Sequence, residues 1–157
     1  MPIETASEAK EKVRTWMEGR KIFVKETEVD EADFQLDGRT ETQIPLAIVL
    51  PKNLSKSILV VTKIKIHKMH ADALNKLDSQ EKADFIWNLK KDLIFAPATF
   101  AMEPSGADVK EIQFTKEISF DELTDGRLIN AMDSVCRCFI WTAWVFTKKF
   151  GVPAGDQ

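Results

Sequence analysis

Three side chains are scarce or missing in this 157-residue chain: it has two cysteines, two histidines and no tyrosine. We have no physical account of the missing tyrosine, but the other scarcities exclude a good deal. Cys136 and Cys138 lie two apart in a segment with helical periodicity, which turns them roughly 200° from each other. From a regular helix they neither bridge one another nor chelate one metal, and they read as packing residues. His67 and His70 are three apart, but their segment reads as a strand end entering a loop. Apart from Asp72, no cysteine or carboxylate stands near them at ligand spacing, so they are expected to be solvent-facing loop side chains. A glycine-flanked nucleophilic serine, a P-loop and a dinucleotide fingerprint are all absent. The cysteines sit mid-helix, far from a helix N-terminus that would lower a thiol pKa. The expectation is therefore no catalysis, no metal and no cofactor.

Long apolar runs are missing too. The longest, near Phe139 to Phe146, falls far short of the ~18 residues of a membrane span. Met1-Pro2-Ile3-Glu4 does not have the basic-then-apolar pattern of a secretory signal, so a cytoplasmic protein is expected. The net charge of -3 argues against bulk affinity for nucleic acid. Glu26 to Asp33 holds five acids in eight residues. It does not have the glycine and the oxygen spacing of a calcium loop, and reads as a solvated segment.

What is present is a regular alternation of helices and strands. Thr5-x-x-Glu8 is a capping box opening a first helix with apolar Ala6, Ala9, Val13, Trp16 and Met17, and Gly19 stops it. Ile22 to Val24 fits a strand, and Phe34 and Leu36 alternate up to a hairpin signal at Asp37-Gly38. Ile44 to Leu50 and Ser57 to His67 are further strands, the latter with Ile58, Val60, Thr62, Ile64 and Ile66 on one face. Ala71, Leu74 and Leu77 suggest a helical turn or loop. Asp78-x-x-Glu81 then caps a second helix with Phe85, Ile86, Leu89 and Leu93 inward, ended by Pro97. Thr99 to Met102 and Val109 to Ser119 form a second hairpin. A last helix starts at Thr124 or Asp125 and stops at Lys148-Lys149-Phe150-Gly151-x-Pro153. Its core stripe is Leu128, Met132, Val135, Phe139, Ala143, Phe146 and Phe150.

The expectation is one α+β domain over residues 1–150 with a tail at 151–157. Its order is α-βββ-α-ββ-α, with a five-stranded, mainly antiparallel sheet and helices packed on it. The first and last helices are expected to pack on each other and on one sheet face. This order, with the stretches Gln80 to Leu89 and Asp121 to Leu128, resembles the fold of type III secretion chaperones and their relatives. Those relatives include small uncharacterised archaeal and bacterial families of unknown function.

Two aromatic surfaces stand out. The second helix carries Ala83, Trp87 and Ile94, flanked by Lys90, about 110° from its core face. The resemblance implies that this region mediates homodimerisation, and that the protein binds an extended partner segment. The last helix adds Trp141, Trp144 and Val145 opposite its core stripe. They form either a partner surface or a face covered by the first helix with Trp16. The reading is a homodimeric, chaperone-like adaptor. The alternative is a weak nucleic-acid or phosphate binder using Lys63, Lys65 and Lys68. Against it, the same-face neighbours Leu59 and Val61 offer no stacking platform. The bland account of those lysines is pairing with the acidic stretch, or solvation.

Overall fold

The computed structural model describes residues 2–54 and 56–153. Its elements are α1 (Ala6–Gly19), β1 (Phe23–Glu26), β2 (Ala32–Arg39), β3 (Pro45–Pro51), β4 (Ser57–Lys65), α2 (Lys68–Asn75), α3 (Ser79–Ile94), β5 (Thr99–Glu103), β6 (Glu111–Ser119) and α4 (Asp125–Phe150). The strands form one antiparallel sheet in the order β1-β2-β3-β4-β6-β5. The α+β class holds, with six strands and four α-helices among the described residues where five and three are expected.

The helix starts follow from their caps. The Glu8 amide donates to Thr5 Oγ1 at 3.1 Å, that of Glu81 to Asp78 Oδ1 at 2.8 Å, and that of Arg127 to Thr124 Oγ1 at 3.1 Å. The last turn of α4 carries Lys148 and Lys149, which suits the negative end of the helix dipole. Burial alternates along β2, β3, β4 and β6, so each strand gives one face to the helices. Leu36, Ile48, Leu50, Ile58, Val60, Ile112 and Phe114 form the sheet half of the core. Leu128, Met132, Val135 and Phe146 of α4 lie across β4 and β6, with Cys138 and Thr142 also buried at the contact. α1 covers β2 through Ala9, Val13 and Met17 and also touches α4.

Three local expectations are corrected. Asp37-Gly38 is not a hairpin turn but the interior of β2, where Gly38 pairs with Phe23 and Leu46. Glycine is needed there for space: a Cβ would lie 2.8 Å from Met17 Cε and 2.9 Å from Ile22 Cγ2. The chain turns at Thr40–Gln43 instead, with Gln43 at φ 68° and the Ile44 amide donating to Thr40 Oγ1 at 3.0 Å. The second correction is the strand count, because Ile22 to Val24 fits a strand but is not among the five expected in the sheet. Phe23–Glu26 pairs with β2 across a register shift, which makes it the sixth strand and one edge of the sheet.

The third concerns the histidines, which are not solvent-facing loop side chains. His67 caps α2, its Nδ1 accepting the Met69 amide at 3.0 Å. His70 is buried, its Nε2 donates to the Gly151 carbonyl at 2.7 Å, and its ring stacks on Phe146 at 5.8 Å. The segment that reads as a strand end and loop is therefore a short helix. It ties the C-terminal end of α4 down through His70 on Phe146 and Phe150, against which Phe85 of α3 also packs.

Candidate aromatic interaction surface

The helix layer covers one side of the sheet, and most of the large exposed apolar side chains lie on that layer. α3 buries Ile86, Leu89 and Leu93 and turns Phe85 toward Phe146 of α4. At 100° per residue, Ala83, Trp87 and Ile94 then fall on the side of α3 away from α4. Trp87 is 68% exposed and Ile94 66%. Lys90 borders the stripe and is half-buried. The four residues named from sequence therefore share one solvent-facing strip.

On α4, Trp144 is 62% exposed and Trp141 41%, so α1 does not cover this face. Val145 is half-buried and packs against the core instead of pointing outward with the tryptophans. The Trp141 indole N–H donates to Asp92 Oδ2 at 3.2 Å, which fixes the ring against α3. Beside it a hollow of about 560 Å³ opens between the end of α3 and the middle of α4, walled by Phe95, Pro97 and Trp141 with Lys91 and Arg137 at the rim. Phe95, 85% exposed at the α3 C-cap, belongs to this surface and was missed from sequence. Its signal was an aromatic two residues past the inward stripe and two before Pro97, which periodicity assigns to no face.

The chemistry-bearing groups do not converge. Cys138 is buried and Cys136 half-buried. Burial, with Asp133 adding to it, pushes the Cys136 thiol up to about 11. Burial also raises Cys138. Both are protonated at neutral pH, the reverse of an activated nucleophile. Among the described residues, no group of three or more His, Cys, Asp or Glu side chains is placed to hold a metal ion. No helix among them is long and apolar enough to cross a membrane.

The three lysines of the basic edge separate. Lys63 and Lys65 extend from the sheet face that carries no helix, while Lys68 lies on α2 and bonds Asp72 at 2.8 Å. The acidic stretch does not pair with them. It connects β1 to β2, and its Glu26 bonds Lys10 of α1 at 3.1 Å.

A family model described as "Uncharacterized conserved protein (DUF2299)" matches residues 9–146. No curated protein matches the chain. The crystal structure of an uncharacterized protein from Methanothermobacter thermautotrophicus is similar with a TM-score of 0.86 and 21% identity, covering 91% of this chain and 99% of that one. At that identity the likeness shows the fold alone. YbjN from E. coli is similar at a TM-score of 0.47 and 11% identity, over 94% of this chain and 93% of its own.

Proposed function

The chain belongs to the DUF2299 family of uncharacterized conserved proteins, and we propose that it acts as a homodimeric, chaperone-like adaptor that binds protein and performs no catalysis. The observation that carries this reading is the strip Ala83, Trp87 and Ile94, exposed on a helix whose opposite side is fully packed. Exposed tryptophan set among aliphatics is the composition of an interface centre.

The strip is complementary to itself. On two antiparallel α3 helices related by an axis midway between Asn88 and Leu89, Ala83 of one copy meets Ile94 of the other. Trp87 then meets Lys90, whose stem and charge both suit an indole face. Asp84 and Lys91 border the same strip and come near each other with opposite sign.

The sheet edges point the same way. β1 is short, carries Lys25 and Glu26 and is bent by a register shift, the devices that blunt an edge. β5, at the other edge and beneath α3, has the sequence Thr-Phe-Ala-Met-Glu with no charge until its last residue. The helix axis point lies about 8 Å from Ile94, and Ala101 lies about 7 Å from Thr99. We place one two-fold axis through both elements, which touch one another. It pairs Ala101 with Ala101 and sets Glu103 against Thr99 instead of against itself. The dimer is then one continuous sheet, and the Phe95–Trp141 hollow of each copy stays open for an extended partner segment.

Light scattering across concentration at low and high salt tests this reading. The expected result is a salt-resistant dimer that Trp87→Ser converts to monomer. A monomer at every concentration would remove it.

A further inference from the structure

The helices cover only one side of the sheet, and the bare side is not uniform. At the corner built by β1 to β4, a hollow of about 390 Å³ is floored by Ala47 and Val61, which pair directly across β3 and β4. Val24 and Pro45 flank this floor, and Lys25, Arg39 and Lys63 rise around it. Among the described residues none of these three cations has an ion-pair partner. The one acid in the lining, Asp37, has both oxygens engaged: the Thr27 hydroxyl donates to Oδ2 and the Gln35 amide to Oδ1. Arg39 uses Nη1 on the Gln43 carbonyl at 3.2 Å, which holds the guanidinium and leaves its other N–H groups free. In a chain of net charge -3, this corner gathers three positive charges against one negative.

We infer that this corner binds a small anionic amphiphile, a carboxylate or phosphate head held by Lys25, Arg39 and Lys63 with an aliphatic body lying on Ala47 and Val61. Charge complementarity selects the head. The floor selects the body: it is aliphatic and has no aromatic ring on which a base could stack, so a nucleotide gains nothing there. A bare anion leaves the floor unused. The volume falls in the range of small-molecule sites. The corner lies at the β1 side of the sheet, across the sheet from the helix layer and away from the α3 strip, so it persists whether or not the protein dimerises.

The test is a titration of ¹⁵N-labelled protein with monomeric decanoate, beside decanol, inorganic phosphate and anionic phosphatidylglycerol vesicles. Decanoate is expected to shift the amides of Asp37, Ala47 and Val61. The double variant Arg39→Gln/Lys63→Gln is expected to bind about tenfold more weakly, as loss of charged hydrogen bonds requires. Both side chains are exposed, so an unchanged melting temperature shows that this variant folds. The same titration on Trp87→Ser gives the same shifts, which separates this site from the dimer reading. Equal binding of phosphate or decanol, shifts confined to α3 and α4, or binding to vesicles without monomeric decanoate each overturn the inference.

Discussion

Single residues in this protein are explained by what surrounds them more than by what they are. Gly38 sits where the Asp37-Gly38 pair suggests a hairpin turn, yet Met17 and Ile22 occupy the space its side chain would need. Gly38→Ala is therefore expected to destabilise by about 1–3 kcal/mol through overpacking, read as a lower urea midpoint with unchanged slope. An unaltered midpoint would mean that Met17 moves aside at no cost.

The thiols follow the same logic. With Cys136 raised to about 11 by burial and Asp133, less than about one thiol in a hundred is ionised at pH 8. A disulfide reagent such as DTNB is expected to titrate neither cysteine in the native protein and both after unfolding. Rapid native reaction would contradict the packing role. The histidines show the limit of residue types read alone, since His67-Lys68-Met69-His70 carries no mark that distinguishes a loop from a capped helix. What decides it is Phe146, some 76 positions further on, against which His70 packs.

Elements were legible where the period was long and the ends were capped. α1 and α3 begin at the residues their capping motifs name and α4 at one of the two expected for it, and β3, β4 and β6 appear where apolar residues concentrate. The short elements were not fully legible. β1 reads as a strand at Ile22 to Val24 but not as a member of the sheet, since within it only Phe23 is half-buried and it carries no period-two signal. α2 spans eight residues, about two turns, below the length at which a helix forms from its own propensity. It exists because Leu74 and His70 have α4 to pack against. His70→Ala removes both the stacking on Phe146 and the bond to the Gly151 carbonyl. The expected cost is about 1–3 kcal/mol. Faster amide exchange should be confined to α2 and the last turns of α4. Exchange rising evenly across the sheet would show that His70 serves the whole core and not this clamp.

At the scale of the whole molecule, the candidate interface depends on an order of strands that no local pattern contains. Trp87 and Ile94 were recognisable as an unpacked strip, but that β5 lies at the sheet edge beneath them is a fact of topology. A strand's own sequence does not say whether it has one neighbour or two. The pairing proposed at this edge would account for β5 lacking the charges that guard β1, and it makes the proposed assembly testable at a second, independent point. Ala101 is exposed on the helix-free face, so Ala101→Lys leaves the monomer core untouched. In a two-fold pairing centred on Ala101, it sets two ammonium groups opposite one another, a like-charge contact that costs roughly 1 kcal/mol. The expected result is a dimer with several-fold weaker association, partly restored by added salt, which screens the repulsion. Trp87→Ser, by contrast, should weaken the dimer equally at all salt levels, since it removes apolar area and no charge. If Ala101→Lys leaves association unchanged while Trp87→Ser abolishes it, the two copies meet through α3 alone and the sheet ends at β5.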